Sequence, residues 1–315
     1  MYSHQNINQI LKCHPSKKRK IIESRLNEIK KEADNKILLN HFRIKFLAYS
    51  ELKHSKNHTK SMKTCLNNLY NKFGNIYLHQ ITKEMVRTYI EERMKIVSPY
   101  AIKRDLTAFS SAFNWAIKKN LMLENLTLNI DRPKLPEKLP LYFTKDEFSK
   151  LLEIIDNNDL KELIIFAAYT GIRQSDILNL VWSQINFENQ TLILDNRYSV
   201  TKSRKVYCLP LHEKVFKILQ DRYKNRLNEY VFTYNSRKIL QDFICRKFRI
   251  YVTNAKLNPS LSFHKLRHSF ATWLVKSGVS IYQVSKLLTH SDVKITQIYS
   301  HLGVTDLTSA IRMLE

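Results

Sequence analysis

The middle of this chain contains three prolines close together. Pro133, Pro136 and Pro140 stand in a polar, basic stretch. Proline has no backbone N–H and fixes φ, so a regular helix cannot run through this stretch and the segment is stiff. A chain of 315 residues is long enough for about two domains of ordinary size. We therefore predict that residues 128–142 are a linker between two domains.

Residues 36–127 have the periodicity of helices and no strand-like alternation. The clearest helix begins at Ser98 and Pro99, because serine is a good cap and proline is favoured at the first helical position. Its apolar residues recur at three- and four-residue steps, which places them on one face. They are Ile102, Leu106, Phe109, Phe113 and Ala116. We predict a small helical domain, with this face in its core.

The chain carries a large excess of positive charge. It has 52 Lys and Arg against 28 Asp and Glu, a formal net charge of +24 and a pI near 9.8. Solubility does not need so much charge, so a polyanion is the first partner to consider. Lys103 and Arg104 lie off the apolar face of the first domain, and the basic excess continues through that domain. We predict that they bind double-stranded DNA; a solvated helix face is the alternative.

Residues 143–315 mix helices with short strands. A helix from Leu160 to Thr170 is expected to stop at Gly171. Two pairs of residues have the spacing of a capping box at a helix start: Thr144 with Glu147, and Ser280 with Gln283. The predicted strands are residues 191–194, 206–209 and 230–234, with only helices after them. We thus expect a mainly α protein with a small antiparallel sheet, of the α+β class.

Other features narrow the class of protein. The four cysteines lie far apart, without the spacing of a disulfide framework or a zinc site. No segment has the roughly 20 apolar residues of a membrane-spanning helix. We expect a cytoplasmic, nucleoid-associated protein with reduced thiols, no metal and no other cofactor. Residues 1–35 are a basic extension with the run Lys17–Lys20, and the sequence assigns it no role.

A few polar residues stand in the otherwise apolar, helical pattern of the second domain. Arg173 follows Gly171, and a short helix is predicted at residues 176–180. His264 and Arg267 are three residues apart, so both project from one side of a helix and two donors can reach one anion. Taken singly, each has an ordinary explanation: an exposed arginine at a turn, or a histidine and an arginine at the edge of the core.

The order of the motifs along the chain is more specific than any one of them. Thr-Gly-Ile-Arg at 170–173 precedes His-Lys-Leu-Arg-His at 264–268, followed by Leu-Thr-His at 288–290 and Ile-Tyr-Ser-His at 298–301. In this order and spacing the chain resembles the tyrosine recombinase family, the phage-integrase and Xer-like enzymes. The resemblance runs from Leu38 to the C-terminus. It implies a helical core-binding domain followed by a tyrosine-recombinase catalytic domain.

The resemblance implies a role for individual residues. Six of them would surround the scissile phosphate or attack it: Arg173, Lys202, His264, Arg267, His290 and the nucleophile Tyr299. Asp176 would steady the pocket where the family commonly has Glu, and Thr289 stands where the family usually has Gly. Lys205 is an alternative to Lys202, because both lie in the turn between the first two predicted strands.

These residue types suit the cleavage of a phosphodiester. Guanidinium groups stay protonated and offer a planar fork of donors to phosphate oxygens, whose charge grows in the transition state. Surrounding cations favour the phenolate of Tyr299, His264 could accept its proton, and Lys202 could protonate the departing 5′-oxygen. A 3′-phosphotyrosyl linkage would conserve the bond energy, so strands could be rejoined without metal or ATP.

The expected activity is therefore site-specific recombination at a double-stranded DNA site. The tail, residues 302–315, resembles a segment that docks on a neighbouring protomer in this family, which implies a homo-tetramer on two duplexes with a dimer on each site. A type IB topoisomerase-like relaxase would share the chemistry, and a catalytically silent DNA-binding protein would share the charge. The two-domain layout favours a recombinase over a relaxase, and the reactive residue types argue against a silent protein.

Overall fold

The computed structural model describes residues 37–136, 139–195 and 206–302. Three sets of predictions lie outside the described residues. They concern the extension at 1–35, Lys202 with its alternative Lys205, and the tail beyond residue 302. These three remain predictions.

The described residues form two compact units, and the division falls in the proline-containing stretch. On either side of it, residues 131–136 and 139–144 belong to no helix or strand. The predicted fold class, mainly helical with small antiparallel sheets, is confirmed. In the described ranges, no helix is both long enough and apolar enough to cross a lipid bilayer.

The first unit is helical. Its helices are α1 (Leu39–Lys53), α2 (Lys56–Phe73), α3 (Lys83–Met94) and α4 (Pro99–Lys118), with a 3-10 turn at Leu78–Gln80. Helix α4 starts where the sequence predicts, with Pro99 in its first turn, although the side chain of Ser98 makes no capping hydrogen bond. All five apolar residues predicted for its inner face are at most 1% exposed. The helical periodicity therefore identified the core face correctly.

The first unit also buries a charge. Asp105 of α4 is fully buried, and its Oδ2 accepts hydrogen bonds from Nε of Arg93 at 2.6 Å and from the hydroxyl of Tyr89 at 3.1 Å. Both donors lie on α3. This charge-assisted pair ties two helices of the unit together.

The second unit contains both helices and strands. Its helices are α5 (Lys145–Ile154), α6 (Asn158–Thr170), α7 (Gln174–Leu178), α8 (Glu213–Lys224), α9 (Gln241–Asn254), α10 (Lys265–Lys276) and α11 (Ile281–Leu287). Both predicted capping boxes form, at the starts of α5 and α11. Helix α6 ends at Gly171, as predicted, whereas α7 begins and ends two residues earlier than predicted.

A three-stranded antiparallel sheet lies beside these helices. Its strands are β1 (Ile185–Asn186), β2 (Thr191–Leu194) and β3 (Tyr207–Pro210), hydrogen-bonded in that order. Strand β2 coincides with the prediction and β3 is shifted from it by one residue. The sequence did not predict β1, because two residues are too few to show an alternating pattern.

The predicted strand at residues 230–234 is wrong in extent. Only Thr233–Tyr234 (β4) is a strand, and it pairs with Arg237–Lys238 (β5) in a separate hairpin. The expectation of helices alone after this point is therefore also wrong. Asn235 and Ser236 have φ of 50° and 59°, and positive φ at both central residues is what a tight two-residue hairpin turn requires.

Helix α10 occupies a central place in the second unit. It packs against α6 and against the 3-10 segment Gln297–Leu302. Where the chain enters the unit, the N–H of Phe143 donates to Oγ of Ser269 at 2.8 Å, and Nε1 of Trp273 donates to the carbonyl of Phe143 at 2.9 Å. A small buried cluster joins α10 to α11 and to the 3-10 segment; it consists of Ala271, Val275, Val284, Leu288 and Tyr299.

Candidate active site

The first wall of the site is the turn at the end of α6. Gly171 has φ of +62°, and a Cβ placed on it would lie 2.3 Å from Cδ1 of Phe270 on α10. Only glycine takes this conformation readily and leaves this space. The turn therefore brings α6 close against α10, and Arg173 follows as the residue that precedes α7.

Arg267 projects from the first turns of α10 into the protein and is only 6% exposed. Its Nη1 donates to the carbonyl of Gly171 at 2.8 Å, and its Nη2 donates to the carbonyl of Leu288 at 2.5 Å. Leu288 lies at the end of α11. Two backbone carbonyls from different elements therefore fix the plane of this guanidinium.

The residue after Leu288 holds the other arginine. Thr289 has φ of +54° and is 4% exposed. Its Oγ1 accepts a hydrogen bond from Nη1 of Arg173 at 2.9 Å, and its carbonyl accepts one from Nη2 at 3.4 Å. Consecutive carbonyls, those of Leu288 and Thr289, thus anchor the two guanidinium groups.

The two guanidinium groups form a positive pocket. Burial and, to a smaller extent, the charge of Arg173 lower the pKa of Arg267 to about 10, although Tyr299 and Asp176 act in the opposite direction. Asp176 of α7 is itself 5% exposed. A pKa of about 10 leaves Arg267 charged at neutral pH. Each of the two arginines uses two of its donors on neutral oxygens of the protein, so other donors remain for an anion.

Three imidazoles border this pocket. Loss of solvent lowers the pKa of His264, although the residue is exposed, and Arg267, Lys265 and Arg173 act in the same direction. Burial lowers the pKa of His290 to about 4, again with help from Arg267 and Arg173. Nδ1 of His290 lies 2.7 Å from Oγ1 of Thr296. Neutral imidazoles can accept protons or hydrogen bonds at pH 7.

Tyr299 lies beside the third imidazole, that of His268. The hydroxyl of Tyr299 is 2.5 Å from Nδ1 of His268. Burial lowers the pKa of His268 to about 4, and burial raises the pKa of Tyr299 to about 12, although Arg267 opposes this rise. In these protonation states the phenol donates to Nδ1, and His268 carries its proton on Nε2. The tyrosine is 2% exposed.

Sequence reasoning did not single out His268. It proposed His264 as the proton acceptor, and the structure gives the phenol a hydrogen bond to His268 instead. The two histidines lie one helical turn apart, with ring centroids separated by 5.3 Å. The only available signal was that His268 directly follows Arg267 and lies four residues after His264.

The structure brings together all the predicted site residues that it describes in the second unit. They are Arg173, Asp176, His264, Arg267, His290 and Tyr299. Lys103 and Arg104 are exposed on α4 of the first unit. The assembled groups are two fixed cations, neutral imidazoles and a buried phenol. Such a set can bind a phosphate and remove a proton from the phenol.

Comparison with known proteins agrees with the resemblance that the motif order indicates. The model of the phage integrase family matches residues 142–305. A tyrosine recombinase of Thermosipho africanus is 30% identical over 218 residues, which cover 68% of this chain and 75% of that protein. The family match spans the positions from Arg173 to Tyr299 that form the site.

Solved structures share the fold. The integrase of transposon Tn1549, in complex with a circular intermediate DNA, aligns with a TM-score of 0.73 and 17% identity over 89% of this chain and all of that one. A lambda integrase tetramer bound to a Holliday junction aligns with a TM-score of 0.70 and 18% identity, covering 84% of this chain and 78% of that one. At this identity the likeness shows the fold alone.

Proposed function

Since this chain belongs to the phage integrase family of tyrosine recombinases, it is an enzyme of site-specific DNA recombination, and we propose that Tyr299 is the nucleophile with which it breaks and rejoins DNA. One observation carries this proposal. The phenol lies close enough to Arg267 for the two to interact electrostatically, Arg267 neighbours Arg173, and consecutive backbone carbonyls hold both guanidinium groups in place.

Arg173 and Arg267 bind the scissile phosphate. The two side chains are close enough to interact electrostatically, and a guanidinium suits the paired oxygens of a phosphate better than a lysine does. Because the carbonyls of Leu288 and Thr289 fix both side chains before DNA arrives, little reorganisation is needed as charge builds up on the phosphate. His264 and His290 line the same space and can hydrogen-bond its oxygens.

The proton of Tyr299 passes to Nδ1 of His268. The neutral imidazole has a lone pair at Nδ1, and the negative charge of the bound phosphate offsets the effects that lower the pKa of His268 in the free protein. The phenolate oxygen attacks phosphorus, and the bond from phosphorus to the 5′-oxygen breaks. That oxygen needs a proton, for which Lys202 remains the proposed donor and Lys205 the alternative. The product is a 3′-phosphotyrosyl link and a free 5′-hydroxyl.

The reverse reaction rejoins the strands. A 5′-hydroxyl attacks the phosphotyrosyl phosphorus, and the phenol leaves as it regains its proton. Because the link keeps the energy of the original phosphodiester, no ATP is needed. The cationic side chains perform the charge neutralisation that a metal ion provides in other phosphoryl-transfer sites, so we expect cleavage without added metal or cofactor.

The partner is a double-stranded DNA recombination site. The related structures were obtained with a circular intermediate DNA and with a Holliday junction, and the net charge of +24 suits a polyanion. Lys103 and Arg104 would contact backbone phosphates. We extend the proposal to a dimer on each site and a homo-tetramer on two duplexes, located in the cytoplasm at the nucleoid.

Covalent capture tests the chemistry. The site is first recovered by selecting, from random duplexes, those retained by the Tyr299→Phe protein, and is then synthesised with a nick next to the scissile phosphate. Wild-type protein is expected to become attached to this substrate and the Tyr299→Phe variant is not. The control is Tyr282→Phe, since Tyr282 is an exposed tyrosine of α11.

Two results would overturn the proposal. One is attachment by Tyr299→Phe at the wild-type rate, and the other is failure of wild-type protein to attach to a substrate that it binds. Relaxation of supercoiled plasmids that lack the site would point instead to a relaxase.

A further inference from the structure

We propose that Thr289 is a positioning residue, whose hydroxyl sets Arg173 for phosphate binding, and that the chain accepts a strained backbone to place it there. The inference rests on the proposed function, because Arg173 is taken to bind the scissile phosphate. Thr289 itself is not assigned any contact with the DNA. It acts through the arginine.

The backbone of Thr289 is strained. Its φ of +54° lies in the left-handed region, where a β-branched side chain is crowded and glycine is not. The other non-glycine residues with positive φ in the described part of the chain are Asn120, Asn129, Gln190, Asn235, Ser236 and Lys256. None of these is β-branched. Thr289 is therefore the least expected residue type in this conformation.

Stopping the helix does not require threonine. Gly171 ends α6 and Lys256 follows the end of α9, each with positive φ. A glycine at position 289 could form the same turn without strain and still present its carbonyl to Arg173. What only the threonine adds is a side chain with a hydroxyl, so the reason for the strain lies in that side chain.

The hydroxyl is directed at the arginine. Oγ1 of Thr289 accepts from Nη1 of Arg173 at 2.9 Å, while the more distant carbonyl accepts from Nη2 at 3.4 Å. The shorter of the two contacts is thus the one that glycine would lose. A β-branched side chain has few χ1 rotamers, and Thr289 is buried, so the oxygen has little freedom to move away. Because Nη1 and Nη2 each donate to a different oxygen of Thr289, the plane of the guanidinium is fixed.

The orientation matters because Arg173 has a like-charged neighbour. The charge of Arg173 lowers the pKa of Arg267, so the two guanidinium groups repel each other in the absence of an anion. Without the hydroxyl, only the more distant carbonyl of residue 289 would hold Arg173 against this repulsion before DNA binds. Each cleavage would then have to restore its position against that repulsion.

Three variants test this inference. Thr289→Gly removes both the strain and the hydroxyl, Thr289→Val keeps the shape without the hydroxyl, and Thr289→Ser keeps the hydroxyl. We measure thermal unfolding, the Kd for the DNA site, and the single-turnover rate of covalent attachment to the nicked substrate. We expect Thr289→Gly to have an unchanged or higher Tm, because the strain is removed.

The expected rates separate positioning from folding. Thr289→Gly and Thr289→Val should attach roughly 10- to 100-fold more slowly, as is common when a partner that orients a reactive group is lost. Thr289→Ser should stay within about threefold of wild type, and Kd should change less than the rate does. A merely structural role would instead make the rate follow Tm.

Two results would overturn the inference: wild-type attachment by Thr289→Gly, or a Thr289→Ser variant as slow as Thr289→Val. If the wild-type protein itself did not attach, the proposed function would fail separately. Inorganic phosphate, titrated into wild-type protein and Thr289→Gly with NMR detection of the Arg173 guanidinium, would then decide the role of Thr289. Equal affinity and equal guanidinium mobility would refute it.

Discussion

Both units of this protein pair an arginine with a buried acceptor, and the acceptors differ in charge. In the first unit, Arg93 donates to the carboxylate of Asp105 at 2.6 Å. Burial alone would lower the pKa of Arg93, but its hydrogen bond and the charges around it, including Asp105, raise it overall. In the second unit, Arg267 donates to two carbonyls, and burial with the charge of Arg173 lowers its pKa to about 10.

The difference separates a structural charge from a functional one. A cation paired with a buried carboxylate is already compensated, and in the first unit the pair holds two helices together. A buried cation held by neutral dipoles has a fixed position and an unsatisfied charge, which an incoming anion can satisfy. The second arrangement costs stability in the free protein and is useful only when a phosphate arrives.

The largest expected effect comes from replacing each of these two arginines separately by glutamine. Arg267→Gln should slow attachment to DNA by roughly 100- to 1,000-fold, because a fixed donor to the phosphate is lost, with little loss of stability. Arg93→Gln should lower the free energy of unfolding by about 3 kcal/mol, because Asp105 stays buried without its cation, and leave the attachment rate of folded protein unchanged. Urea unfolding and single-turnover attachment measure the two effects. A large loss of attachment rate in Arg93→Gln would contradict the distinction between a structural and a functional arginine.

A smaller effect is expected at Gly171, whose carbonyl holds Arg267. Gly171→Ala places a Cβ against Phe270 at a residue with φ of +62°, and should lower the free energy of unfolding by about 2 to 4 kcal/mol and the attachment rate about tenfold. Gly278→Ala is the matched control, since Gly278 also has positive φ but a Cβ there would meet nothing within 4 Å. It should cost about 1 kcal/mol and spare the rate. Equal loss in both variants would mean that the close approach to α10 is unimportant.

The smallest effect concerns pH. His268 and His290 have pKa values lowered from 6.5 to about 4 by burial. Between these values the unfolded chain binds protons that the folded chain does not, so the free energy of unfolding falls as the pH drops from 6.5 towards 4. His268→Gln should flatten this fall in urea unfolding between pH 7 and 4.5. His41→Gln, at an exposed histidine of α1, should keep the wild-type slope, and a slope unchanged in His268→Gln would contradict the assignment.

The sequence predicted the elements that local chemistry specifies. Periodic apolar residues identified the inner face of α4, and the capping boxes located the starts of α5 and α11. The hairpin at Asn235 and Ser236 was missed, because these residues are not the usual glycine-containing pair for such a turn. Short strands depend on their partners more than on their own residues.

The candidate site was predicted as a set of residues but not as an arrangement. The order of the motifs pointed to Arg173, Arg267 and Tyr299, yet sequence spacing does not say which imidazole reaches the phenol. That depends on how the segment Gln297–Leu302 lies on α10. Likewise, the φ of Thr289 arises where α11 meets two arginines from elsewhere in the chain, and a linear pattern does not contain such a contact.

The two arginines are anchored to neighbouring residues of one turn, Leu288 and Thr289. The register of that turn therefore matters more than the composition of the helix before it. Substitutions on the outer face of α11 leave the anchor unchanged, whereas a single inserted or deleted residue would rotate the two carbonyls by about 100° and misplace both charges at once. Engineering of this enzyme can therefore vary the exposed positions of α11, provided that the length of this helix is preserved.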